Sequence, residues 1–96
     1  MSQLDAEAEL KRLRDAIDRV DEVLVKLLNQ RAKYAVEIGE LKGHLALPIY
    51  SPDREKQVLE HVEQQSAGPL EAAAIRRLFE RIIDESRRVE RESAQR

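Results

Sequence analysis

Apolar residues recur along the first half of the chain at Leu10, Leu13, Ile17, Val20, Leu24, Leu27, Leu28, Ala35 and Ile38. At about 100° per residue they fall within one stripe roughly 100° wide, which predicts an amphipathic helix. From about Asp5 to Gly43 only Gly39 interrupts the pattern, and the segment HLALP ends it. The segment SPDRE restarts it: Ser51 suits an N-cap, and Pro52 suits the first helical position. The second helix carries Val58, Leu59 and Val62 on one face, with Glu55 at the centre of that face. SAGP stops it, and Pro69 is placed to open a third helix from about Leu70 to Glu92. That helix aligns Ile75, Leu78, Phe79, Ile82, Ile83 and Val89, and ESAQR reads as a frayed tail.

Each predicted helix also places polar groups where it should bury apolar ones. Arg31 sits near the middle of the first stripe, and Lys42 lies about 20° from Arg31 around the axis. Ser86 and Glu90 fall inside the third stripe. Burying an unpaired charge costs several kcal/mol, so these groups need partners. Two readings stay open from periodicity. The charges form structural ion pairs, such as Arg31 with Glu90 or Lys42 with Glu55, or snorkel to water. Alternatively they line a polar pocket in a helical bundle, with cations awaiting an anion.

Composition supports an all-α class: 96 residues are 38% charged, 42% hydrophobic and only 3% aromatic, with three Gly and three Pro. The length predicts one domain over residues 1–96. A net charge of −2 gives no bias toward nucleic acid or membrane. The absence of Cys removes disulfide and thiolate chemistry and fits a cytoplasmic location. The two His residues lie in different segments and make no metal-ligand pattern. A first helix of this length would span roughly 58 Å, while a compact chain of this size is roughly 32 Å across. Its stripe would overhang the domain, which predicts a homodimer with the long helices packed together. A kink near Gly39, or a break in mid-helix, is the alternative.

The stretches LRDAIDRVDEVLVKLLNQRAKYAVEIGELK, PIYSPDREKQVLEHV and GPLEAAAIRRLFERIIDESRRVE resemble the all-helical (class II) chorismate mutases. The resemblance runs from about Leu10 to Glu90. It implies three helices per chain, intertwined into a homodimer with two active sites. It implies conversion of chorismate to prephenate by an intramolecular Claisen rearrangement, on the route to Phe and Tyr, with no cofactor and no metal. Such an enzyme holds the substrate in a compact, chair-like conformation and stabilises negative charge on the ether oxygen.

By that resemblance Arg31 and Lys42 face inward because chorismate is a dianion. Arg31 binds a carboxylate through its planar fork, and Lys42 reaches a carboxylate and the ether oxygen. Arg54 and Ser86 match supporting positions near a carboxylate. Glu55 matches the acceptor of the ring hydroxyl, and Glu90 the group that hydrogen-bonds the ether oxygen. Arg14 lies roughly 25 Å along the helix from Arg31 and matches the Arg that enters the site from the partner chain. Two positions depart from part of the family. Ser51 stands where some relatives have Asp, and a backbone N–H there can serve the ring hydroxyl. Glu90 stands where some have Gln, so its carboxyl must be protonated to donate. Two alternatives remain: an isochorismate pyruvate lyase of the same fold, and a non-catalytic helical dimerisation module.

Overall fold

The computed structural model describes all residues from 1 to 96. Three helices account for most of them: α1 is Gln3–Leu45, α2 is Pro52–Gln65 and α3 is Ala72–Ala94. The chain forms two compact units, Met1–Arg31 and Ala32–Arg96.

The first unit is helical from Gln3 onward. The Ser2 hydroxyl accepts the Asp5 backbone N–H at 3.1 Å, which satisfies one of the free donors at the helix start. Ion pairs one turn apart, Lys11–Asp15 and Arg12–Glu9, both at 2.8 Å, decorate its polar side. Such exposed pairs add a few tenths of a kcal/mol each. The apolar stripe is open: Leu10, Leu13, Ile17, Val20, Leu24, Leu27 and Leu28 are between 45% and 58% exposed.

The second unit contains the buried side chains. Ala35 lies on the end of α1, Leu59 on α2, and Ile83 and Ser93 on α3. The helix α2 packs against α3. Two cross-links reinforce that pair: Arg76 to Glu63 at 3.0 Å, and Arg87 to Glu55 at 2.7 Å.

Gly39 does not kink α1, which runs unbroken through it. It is instead a point of close approach. A Cβ there would lie 2.7 Å from the Glu90 Cα and 2.8 Å from the Ser93 Cβ. One turn later, a Cβ on Gly43 would lie 2.6 Å from the Ala94 carbonyl oxygen. Two glycines four residues apart thus form a notch that receives the backbone of α3. Ser93 is only 2% exposed, and its hydroxyl donates to the Val89 carbonyl at 2.8 Å. Its polar atom is satisfied within its own helix, so it can face the notch at no hydrogen-bonding cost.

The end of α1 follows from HLALP. Ala46 adopts a positive φ of 54°, the Leu47 N–H donates to the Lys42 carbonyl at 2.9 Å, and the Ala46 N–H donates to that of Gly43 at 3.4 Å. That pairing is the Schellman ending, here with alanine in the left-handed position usually held by glycine. Pro48 then blocks further helix. Ser51 and Pro52 open α2 as predicted, although the Ser51 side chain makes no cap hydrogen bond. Pro69 does not open α3. The helix begins at Ala72 after Glu71, whose carbonyl accepts the Ala74 and Ile75 N–H groups. The intervening loop closes on itself, with the Ser66 hydroxyl donating to the Leu70 carbonyl at 2.6 Å.

Gly39→Ala separates two opposing effects. Alanine gains about 1 kcal/mol of helix propensity, while its methyl forces α3 backbone outward at about 1–3 kcal/mol. Because the blocking atoms are backbone, the steric term wins, and the variant is expected to melt at a lower temperature. A higher melting temperature would show that the notch is not tightly filled.

Candidate functional site

Two sequence candidates of the second unit, Lys42 and Glu90, meet beside the loop between α1 and α2. Lys42 is held there by the end of α1. Its ammonium donates to the Ile49 carbonyl at 2.9 Å, and Glu90 Oε1 of α3 lies 2.7 Å away. Both side chains are largely buried, at 18% and 15% exposure. Glu90 reaches this point because its backbone rests in the Gly39 notch.

At 2.7 Å the ammonium lies at the distance of a charge-assisted contact to Glu90 Oε1. Oε1 is buried and has no partner besides Lys42. The ammonium has three donors, one of which goes to Ile49, so hydrogen-bonding capacity remains on both members of the pair.

Glu55 has a different partner from the one expected of it. In place of a Lys42–Glu55 pairing, Lys42 pairs with Glu90 and Glu55 pairs with Arg87. Arg87 Nη2 donates to Glu55 Oε1 at 2.7 Å and Nε donates to Oε2 at 3.1 Å. The reason is reach and shape: the planar fork of an arginine on the packed neighbouring helix matches both carboxylate oxygens. The Arg87 guanidinium also lies over the Tyr50 ring, 5.3 Å from its centre. Hydrogen bonding to Glu55 raises the Arg87 pKa above its ordinary value, with burial opposing, so the guanidinium stays charged.

The remaining candidates occupy simpler positions. Ser51 is the half-buried residue that precedes α2. Arg54 is exposed in the first turn of α2. Ser86 is half-buried on α3, one turn before Glu90. On the first unit, Arg31 is half-buried and Arg14 is exposed. No group of three or more His, Cys, Asp or Glu side chains gathers as a metal-ligand set. No helix is long and apolar enough to cross a membrane.

Sequence reasoning did not single out Arg87, Tyr50 or the Ile49 carbonyl. Arg87 lies four residues after Ile83, about 40° round the helix, at the edge of the apolar stripe. That is where a solvated arginine is ordinarily found. Its pairing depends on the packing of α2 on α3, which periodicity does not encode. The Ile49 contact depends on the backbone path after Ala46.

Residues 13–91 match the family model described as chorismate mutase type II. The chain is 44% identical over 78 residues to a bifunctional chorismate mutase/prephenate dehydratase of Neisseria gonorrhoeae, covering 81% of this chain and 21% of that protein. It is 43% identical over 86 residues to the T-protein of Enterobacter agglomerans, covering 90% of this chain and 21% of that protein. The chain thus spans about a fifth of the length of these curated relatives. Among solved structures, a chorismate mutase of Thermus thermophilus superposes with a TM-score of 0.83 at 35% identity, covering 85% of this chain and 93% of that one. A chorismate mutase of Helicobacter pylori in complex with prephenate gives a TM-score of 0.83 at 27% identity, covering 92% of this chain and 96% of that one.

Lys42→Met tests the energetics of the pair. It removes the cation and leaves Glu90 buried without a counter-charge, at an expected cost of about 2 kcal/mol near neutral pH. Denaturant melts of the two proteins near neutral pH should show that loss. Equal stability would mean that Glu90 does not depend on Lys42 as its partner.

Proposed function

Because the chain belongs to the chorismate mutase type II family, we infer that it converts chorismate to prephenate. One C–O bond of the enolpyruvyl ether breaks and one C–C bond forms within the same molecule. The reaction exchanges no electrons or protons with the enzyme and requires no cofactor or metal. What the protein must supply is orientation of a flexible dianion and stabilisation of charge on the ether oxygen.

The observation that carries this reading is the Lys42–Glu90 pair, largely buried and in 2.7 Å contact, with Glu90 Oε1 having no partner besides Lys42. Both members of the pair retain hydrogen-bonding capacity that an incoming oxygen can use. In the proposed complex Lys42 donates to a substrate carboxylate and to the ether oxygen. Glu90, protonated, donates to the same ether oxygen. Glu55 accepts the ring hydroxyl, with Ser51 nearby in the chain offering a backbone N–H. Arg31, Arg54 and Ser86 bind carboxylate by family resemblance. Arg14 enters from a second copy of the chain. The enzyme is placed in the cytoplasm on the same reading, with residues 1–96 as one catalytic domain.

The proposed assembly is an intertwined homodimer. Its support is the stripe from Leu10 to Leu28, every member of which is about half-exposed. Full burial of one such side chain is worth about 1.5–3 kcal/mol, and a second identical stripe is a suitable cover. Light scattering at micromolar concentration is expected to give twice the 11.1 kDa chain mass. An active monomer would refute the dimer and the cross-chain role of Arg14.

Loss of chorismate absorbance, with identification of the product, tests the activity itself. Prephenate is the expected product; salicylate with pyruvate would indicate a lyase, and no turnover a binding module. Glu90 gives the sharper signature. A carboxylic acid or an amide there donates a hydrogen bond to the ether oxygen, and a methyl does not. Glu90→Gln should therefore remain active, while Glu90→Ala should lose kcat/KM about ten-fold or more. Equal activity of the two variants would remove Glu90 from the ether oxygen.

A further inference from the structure

Arg87 is held on several sides at once. Its Nε and Nη2 grip both oxygens of Glu55, its Nη1 lies 3.3 Å from Asp84 Oδ1, and its face covers the Tyr50 ring. The guanidinium thereby joins α3, α2 and the loop between α1 and α2. Few freedoms remain to such a group, and Glu55 inherits that rigidity. A glutamate has three side-chain torsions and ordinarily samples many rotamers when partly exposed.

We infer that Arg87 is a positioning residue, which orients and neutralises Glu55 so that the site selects a substrate bearing the ring hydroxyl. This rests on the proposed assignment of Glu55 to that hydroxyl. Two physical effects support it. Each carboxylate oxygen has two lone pairs, and Arg87 engages one per oxygen, so a fixed acceptor remains for an O–H. A lone carboxylate would also repel a dianion entering the site; the Arg87 cation at 2.7 Å offsets the charge of Glu55, and the second carboxylate on Arg87, Asp84, is exposed and screened by water. Glu55 thus keeps the directionality of a carboxylate with less of its repulsion. Lysine in place of Arg87 would keep the charge and lose the two-point grip.

The test compares kcat/KM for chorismate and for a chorismate analogue lacking the ring hydroxyl, using wild type, Arg87→Ala and Arg87→Lys. The ratio of the two values is independent of the fraction of enzyme folded, so a purely structural defect leaves it unchanged. Arg87→Ala should lower kcat/KM on chorismate about ten-fold relative to the analogue, the size of one misplaced hydrogen bond. Arg87→Lys should lower the ratio in the same direction, and it carries the test if the alanine variant does not fold. In a Glu55→Ala background, Arg87→Ala should not change the ratio further. Equal losses on both substrates, or an unchanged ratio, would overturn the inference. Absence of wild-type turnover on both substrates would refute the functional reading, and this inference with it.

Discussion

The close approach of α3 to the end of α1 is the constraint on which the second unit depends. Gly39 and Gly43 leave no side chain where the backbone at Glu90 and Ala94 must pass. That contact fixes the depth at which Glu90 enters the unit, and so brings its carboxyl within 2.7 Å of the Lys42 ammonium. A larger residue in the notch would move the helix and the acid together. The glycines cost helix propensity, about 1 kcal/mol each, and the geometry of the acid is what the packing secures in return.

From that contact the rest of the unit follows in sequence. Lys42, between the two glycines in sequence, holds the Ile49 carbonyl and so sets the path of the loop that leads to α2. Tyr50, the next residue, lies under Arg87, and Arg87 grips Glu55 in the first turn of α2. Charged side chains therefore organise the loop and the two helices beside it, where a larger protein would use apolar bulk. Few apolar side chains are buried here, namely Ala35, Leu59 and Ile83. Rigid placement of polar groups matters for the proposed chemistry, which gains its rate from preorganised charge.

Much of the fold was legible from apolar spacing, because a 3.6-residue period and few breakers leave little choice of secondary structure. The starts of α1 and α2 and the end of α1 fell close to the expected residues. Gly39 was harder to read. In isolation a glycine within a helix suggests weakness, and only the partner backbone reveals it as a seat. Pro69 suited a helix start by type, but α3 began at Ala72. At the site, Lys42 and Glu90 were conspicuous because they are charges on apolar stripes. Arg87 was not, since it lies at a stripe's edge and acquires its meaning from Glu55, 32 positions earlier. Pairings between helices depend on how the helices pack, and one-dimensional periodicity carries no information about that.

If the Lys42–Glu90 pair is the anion-binding centre of the proposed site, removing its cation must weaken ligand binding. Calorimetric titration of prephenate into the wild-type protein and into Lys42→Met measures this directly. Binding by the wild type and at least a roughly ten-fold weaker affinity in folded Lys42→Met is the expected result, the size of one lost charge-assisted contact. Equal affinity in the two proteins would remove the pair from the site.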